Sequence, residues 1–151
     1  MVESIRDKLT DVVSEQFNLF ANNEVHDGIV TSRPALAIVC RAGHLNEAEF
    51  QTGIVLNTPV IEGRGLLNIQ TPVHYVRVRL DKKISQFSWE HMSNSKTMQI
   101  CCATFSGKGQ VEKILRAQDV RIEFGSFDGY AEVTEFILRV SIKTFSKKLV
   151  V

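Results

Sequence analysis

The chain has 151 residues and a mass of 17.0 kDa, with 44% hydrophobic residues, 23% charged residues and a formal net charge of +1. This length predicts one domain, residues 1–151, and the near-zero charge gives no overall electrostatic case for nucleic-acid binding. The apolar runs are far shorter than the roughly 20 residues that a membrane-spanning helix needs, and the polar first residues do not resemble a secretion signal. Three cysteines without disulfide spacing favour a reducing cytoplasm.

The N-terminal part of the chain has a mainly apolar stripe at helical spacing, which predicts an amphipathic helix over residues 3–20. The stripe consists of Ile5, Leu9, Val12, Val13, Gln16, Phe17 and Phe20. Residues 21–33 read as a loop, and the apolar run 35–40 after Pro34 predicts a central strand that is covered on both faces. The capping-box spacing of Asn46 and Glu49 then predicts one short helical turn.

The middle of the chain contains a strand with a basic exposed side. Residues 54–72 predict a strand, an exposed loop and a second strand that continues after Pro72. Within residues 74–80 apolar and polar side chains alternate, which predicts a half-buried strand that exposes Arg77 and Arg79. Residues 84–106 fit either a helix or a strand, and we favour the helix. A glycine-rich break at 107–109 then precedes a second short helix around residues 111–115.

The last third of the chain predicts a long antiparallel hairpin. Residues 120–124 and 136–142 flank an Asp128-Gly129 turn, and each has one apolar face. Glu123 and Glu135 lie on the polar faces, where we expect them to pair with the arginines of strand 74–80. The final strand is expected near the centre of the sheet, and residues 146–151 read as a flexible tail.

These elements together predict the α+β class. The expected architecture is a mainly antiparallel sheet of four to five strands, packed by the N-terminal helix and by one or two further helices.

Motifs that carry chemistry are weak throughout the sequence. Gly63-Arg64-Gly65 and Gly107-Lys108-Gly109 do not complete a dinucleotide or phosphate-binding motif, so both read as turns. The four histidines lack zinc-ligand spacing, and the adjacent pair Cys101-Cys102 cannot form an ordinary disulfide with itself. We therefore predict no catalytic residue, no cofactor, no metal and no enzymatic activity.

The residues with the strongest interaction signal are aromatic, basic or exposed apolar positions. Trp89 reads equally well as an interface aromatic and as a cover for one end of the core. The basic run that begins at Arg77 would also suit a nucleic-acid surface, although Tyr75 is the only aromatic residue interleaved with it. The predicted interface consists of Trp89, Arg77, Arg79, Ile137, Arg139, Lys143 and Arg64.

The two ends of the chain carry opposite charge. Residues 1–30 contain six acidic and two basic residues, whereas every charge after Glu135 is positive. If these ends lie on different faces, neighbouring copies could attract one another head to tail, which is the contact that closes rings or builds filaments. The alternative is that the two charged ends are ordinary solvent-exposed surfaces and form no contact between copies.

The order of the predicted elements resembles the tail-terminator, or tail-completion, proteins of long-tailed bacteriophages. The resemblance covers the N-terminal helix, the strand after Pro34, the strand 73–80, the helical middle and the long strand 129–145. It implies a virion protein, assembled in the host cytoplasm, that forms a ring of usually six copies. Such a ring caps the tail tube, contacts tube, sheath or connector proteins and lets DNA pass only as cargo.

Two other classes of protein remain open from the sequence. One is a dimeric adaptor or secretion-type chaperone that presents its sheet to a partner. The other is a small α+β enzyme or ligand-binding domain with a pocket between helix 3–20 and the sheet. Oligomeric state separates these alternatives, since they predict a ring, a dimer and a monomer with a deep pocket.

Overall fold

The structure is a computed structural model that describes residues 2–6, 8–11, 13–41, 44–64, 69–100, 105–126 and 130–137. These residues form twelve strands and one helix, α1 (Phe105–Arg116). The strands are β1 (Val2–Arg6), β2 (Val13–Phe20), β3 (Val25–Asp27), β4 (Val30–Ser32), β5 (Ala35–Arg41), β6 (His44–Gln51), β7 (Val60–Arg64), β8 (Ile69–Leu80), β9 (Lys83–His91), β10 (Thr97–Ile100), β11 (Asp119–Gly125) and β12 (Ala131–Ile137).

Ten of the strands form one antiparallel sheet. Its order is β1-β2-β5-β6-β10-β9-β8-β11-β12, and β7 pairs with the first part of β8. The second part of β8 pairs with β11 instead, so β7 and β11 follow one another along the same edge of that long strand. Strands β3 and β4 form a separate small hairpin.

The sheet curves until its two ends approach each other, which gives a nearly closed, barrel-like form. The segment after β2 reaches the free edge of β12, where the backbone N–H of Asn22 donates to the carbonyl of Glu135 at 2.8 Å. The side chain of Asn23 donates to the carbonyl of Val133 and accepts from the backbone N–H of Glu135, both at 2.8 Å. Asn23 therefore takes part of the role of a neighbouring strand and protects an edge that could otherwise pair with another chain.

The concave side of the sheet holds the hydrophobic core. Phe50 lies at its centre, with its ring 5.4 Å from Phe124, 6.0 Å from Trp89 and 6.2 Å from Phe136. Helix α1 contributes buried apolar side chains to this core, namely Val111, Ile114 and Leu115. The indole N–H of Trp89 donates to Gln110 of the same helix at 2.9 Å, which satisfies its one polar group.

The α+β prediction is wrong, because the predicted N-terminal helix 3–20 is the hairpin β1–β2. Asp11 has a left-handed backbone (φ 58°), a conformation that aspartate tolerates in a turn and that interrupts a helix. Phe17 and Leu19 both face the core from alternate positions of β2. Pairing of β2 along the full length of β5 outweighs the helical spacing of the apolar residues.

Five further expectations are wrong. The short turn at Asn46 is part of β6, and the favoured helix in 84–106 is replaced by β9 and β10, although residues 101–104 lie outside the described part. The proposed break at 107–109 lies within α1, and Gly63 and Arg64 belong to β7 rather than to a turn. Strand β12 ends the strand order instead of lying near its centre.

Other predictions are confirmed. The run 35–40 forms β5 and residues 74–80 belong to β8, while the C-terminal hairpin forms as β11 and β12. The expected continuation of its second strand over residues 138–142 lies outside the described residues, as does the tail 146–151.

Replacing Asn23 with alanine removes both side-chain hydrogen bonds to the edge of β12. We expect the free energy of unfolding to fall by about 1–3 kcal/mol, because two backbone groups of β12 lose their partners. Chemical denaturation measures this. Asn22→Ala is the matched control, since it keeps the backbone donor, and it should stay within about 0.5 kcal/mol of the parent chain. Equal losses in the two variants would contradict this account of the closure.

Candidate interaction surface

The convex side of strands β9, β8, β11 and β12 presents a continuous surface, here called the outer face. Strand register determines its composition, because alternate residues of each strand face outward. One row across the four strands consists of Gln86, Arg77, Glu123 and Val133. The adjacent row consists of Ile84, Arg79, Arg121 and Glu135, and Ile137 lies beyond it.

Two of the three arginines on the outer face are held by carboxylates. Arg77 makes a two-pronged contact with Glu123, with both N–O distances at 2.8 Å, and this hydrogen bond lowers the pKa of the Glu123 carboxyl. Arg121 lies 3.6 Å from Glu135 and 3.4 Å from Asp119. The predicted pairing of Glu123 with Arg77 is therefore confirmed, whereas Glu135 pairs with Arg121 rather than with strand β8.

Arg79 differs from its two neighbours on the outer face. Its Nε donates to the backbone carbonyl of Asp81 at 2.7 Å, and no carboxylate of the described residues forms an ion pair with it. Lys82 follows in the exposed β8–β9 turn, next to Asp81, whose carboxylate accepts from the backbone N–H groups of Gln118 and Asp119. Arg79 is therefore the arginine of the outer face that no described carboxylate pairs with.

A shallow groove crosses the outer face and encloses about 120 Å³. It is lined by Arg77, Arg79, Ile84, Arg121, Glu123 and Val133. Ile84 and Val133 are apolar and substantially exposed, and Ile137 and Tyr75 add further exposed apolar surface on the same side. Arginine combined with aromatic and aliphatic side chains is the composition that protein interfaces favour.

A second exposed apolar feature is the hairpin β3–β4. Its two-residue turn consists of Gly28, which has a positive φ of 59°, and Ile29. Glycine at the first turn position suits a type II′ hairpin turn. Ile29 is fully exposed and Val30 is about half exposed, so the hairpin has an apolar tip.

A polar cluster at the edge of the core includes two histidines: His74 is buried, His91 is partly buried, and their partner Asn57 is exposed. Nε2 of His74 lies 2.7 Å from Nδ1 of His91, and Nδ1 of His74 lies 3.2 Å from Oδ1 of Asn57. If His74 donates its Nδ1 proton to Asn57, its Nε2 accepts from His91, so one neutral tautomer satisfies the whole chain. Burial, together with the neighbouring His91, lowers the pKa of His74 to about 4.

The sequence-predicted interface residues are distributed over several places. Arg77, Arg79 and Ile137 lie on the outer face, as a shared surface requires. Trp89 is only 1% exposed and belongs to the core, which is the alternative that the sequence left open. Arg64 is the last residue of β7, apart from this face, while Arg139 and Lys143 lie outside the described residues.

Sequence reasoning missed Ile84 of the groove and the whole β3–β4 hairpin. The alternation of Ser85, Phe87 and Trp89 with exposed neighbours could have identified Ile84 as outward-facing. Because a helix was favoured for residues 84–106, this strand alternation was not used. The hairpin was also readable in principle, because Asp27-Gly28 between two valine-containing segments is a turn signal.

Comparisons with known proteins give no relatives: no family model, no curated protein and no solved structure matches this chain. Among the residues that the structure describes, no group of three or more histidine, cysteine, aspartate or glutamate side chains could hold a metal ion. Over the same residues, no helix combines the length and the apolar character needed to cross a membrane.

The His74 cluster predicts that stability depends on pH. The folded state holds His74 neutral down to about pH 4, whereas the unfolded chain protonates it near the ordinary histidine pKa of 6.5. The unfolded state therefore binds more protons in this window, and the free energy of unfolding falls as the pH drops from 6.5 towards 4. One pKa unit corresponds to about 1.4 kcal/mol, and partial hydration of the ring reduces the full effect to about 1–2 kcal/mol.

Denaturation curves at pH 7 and pH 4.5 measure this loss. His74→Gln keeps a hydrogen-bonding side chain but does not titrate, so its stability should change less between the two pH values. His26→Gln alters an exposed histidine in the β3–β4 hairpin and should retain the parent dependence. A His74→Gln variant with the same pH dependence as the parent would contradict the role of this cluster.

Proposed function

We propose that this chain is a non-catalytic structural subunit that assembles with copies of itself through the outer face. The observation that carries this proposal is the exposed groove in which Ile84 and Val133 flank three arginines. Single exposed aliphatic residues are ordinary, but Ile84, Val133, Ile137 and Tyr75 lie on one side of the sheet together with arginines, which is the composition of an interface. Burial against a second polypeptide would cover this apolar surface.

The charges of the outer face favour a specific contact over nonspecific association. Arg77 and Glu123 hold each other in fixed positions, and Arg121 is held between two carboxylates. Fixed side chains lose less conformational freedom on association, which favours binding in one orientation. Complementary charge then selects the partner and the register of the contact.

The specific assembly that we propose is the one implied by the sequence resemblance. In that assembly, copies of the chain form a ring, usually of six, that ends a phage tail tube and joins it to the head connector. Tube, sheath or connector proteins would be its other partners, and DNA would pass through as cargo. This finer proposal rests on the order of the predicted elements, of which the N-terminal helix is replaced by β1–β2 and the helix favoured over 84–106 is replaced by β9 and β10.

Light scattering coupled to size-exclusion chromatography tests self-assembly directly. We expect the parent chain to form oligomers whose population rises with concentration, and negative-stain images to show closed rings. Ile84→Glu should give a folded monomer, because an added charge in the groove opposes burial of the contact.

Ile61→Glu is the matched control for this experiment. Ile61 of β7 is 61% exposed and Ile84 is 62% exposed, so the two substitutions change the free surface equally, but only Ile84 lines the groove. The control should keep the parent oligomer. A parent chain that stays monomeric at its highest soluble concentration, or an Ile84→Glu variant that assembles normally, would contradict the proposal.

A further inference from the structure

We propose that the occupant of the groove is the tip of the β3–β4 hairpin from a second copy of this chain. This inference rests on the proposed self-assembly and identifies the two surfaces that meet. In each contact one copy supplies the hairpin and the other supplies the groove. Three features of the molecule support this pairing: the rigidity of the hairpin, the size of its tip and the charge of both surfaces.

The hairpin is anchored firmly at its base. Val25 is completely buried in the core, and the guanidinium of Arg33 donates to the carbonyl of Ala21 at 2.8 Å. Ser32 packs so closely against Gly53 that any side chain at Gly53 would collide with its hydroxyl. The tip is therefore presented by a fixed support, and docking it costs little ordering entropy.

The tip matches the groove in size and polarity. Ile29 is fully exposed in its own copy, so it does not occupy the groove of the same molecule. The groove is open and has a volume of about 120 Å³, with Ile84 on β9 and Val133 on β12 at its two ends. This volume is sufficient for the four carbons of an isoleucine side chain, which would lie against the aliphatic side chains.

The two surfaces also carry opposite charge. In the groove, Glu123 pairs with Arg77, and the neighbouring Asp119 and Glu135 pair with Arg121. Among the described residues Arg79 is the groove arginine without a carboxylate partner, and it supplies the positive charge. Residues 24–32 contain Glu24 and Asp27 and no lysine or arginine. Arg33 lies 3.7 Å from Glu24 at the base of the hairpin, whereas Asp27 directly precedes the turn. Asp27 is therefore the acid nearest to the tip, and we assign it to Arg79 of the receiving copy.

A contact of this kind is heterologous, because its two halves are different surfaces. Each copy can give its hairpin to one neighbour and receive the hairpin of another, so copies add head to tail until a ring closes or a filament grows. A face-to-face pairing of two outer faces would instead stop at a dimer. The two arrangements therefore predict different behaviour for mixtures of variants.

The first test uses single variants in light scattering. Ile29→Asp should raise the apparent Kd for assembly by about tenfold or more, as expected for an anchor residue at the centre of a contact. Leu9→Asp is its matched control, because Leu9 is similarly exposed in the turn between β1 and β2. The control should assemble like the parent chain, and circular dichroism should show that both variants remain folded.

The second test mixes two variants that each fail to assemble alone. Ile29→Asp retains its groove and Ile84→Glu retains its hairpin, so an equimolar mixture has one functional contact between unlike chains. We expect the mixture to give one-to-one dimers and nothing larger. Charge exchange provides an independent check: Asp27→Arg and Arg79→Asp should each weaken assembly, and the chain carrying both should recover it.

The outcomes separate this inference from the proposed function. If the parent chain assembles but Ile29→Asp assembles equally well, the hairpin is not the occupant, while self-assembly through the outer face stands. If Ile29→Asp is impaired but the mixture gives no dimers, the head-to-tail pairing is wrong. If the parent chain does not assemble at all, the proposed function fails and this inference fails with it.

Discussion

The closure of the sheet at β12 is the constraint on which the rest of this structure depends. A curved sheet with two open edges would leave the ring of Phe50 and its aromatic neighbours accessible to water, and it would offer free backbone groups to other chains. Asn22 and Asn23 meet both needs with three hydrogen bonds to one strand. The same two residues lead directly into β3, so closure of the core and presentation of the β3–β4 hairpin have one structural origin.

Burial and exposure divide the polar groups of the molecule into two kinds. On the inner side, the buried His74 lies between the partly buried His91 and the exposed Asn57, and its burial, together with the neighbouring His91, lowers its pKa. Outside, the arginines of the outer face remain charged and hydrated. The His74 cluster therefore affects the stability of the fold, whereas the arginines of the outer face are available to contact a partner.

The sequence predicted those parts of the fold whose local pattern agrees with the final contacts. Strand β5 and the β11–β12 hairpin follow from an apolar run and from alternation around a turn. The polar faces of the strands predicted that Glu123 pairs with an arginine of strand 74–80, and this arginine is Arg77. The predicted N-terminal helix is wrong because the apolar residues of β1–β2 fit both the helical period and the strand period. Pairing of β2 with β5 selects the strand. The groove was only partly predictable, since Ile84 meets Arg79 and Arg121 through strand pairs distant in sequence.

The bracing of β12 has a consequence for how an assembly of the proposed kind would grow. Asn23 links the base of the β3–β4 hairpin to Val133, and Val133 lines the groove, so the giving and receiving surfaces of one subunit share a support. Because the hairpin is already held in place in the free subunit, filling the groove changes little in the hairpin of the same subunit. Successive contacts before ring closure would then form with similar affinity, and the oligomers would lengthen gradually with concentration, without a lag.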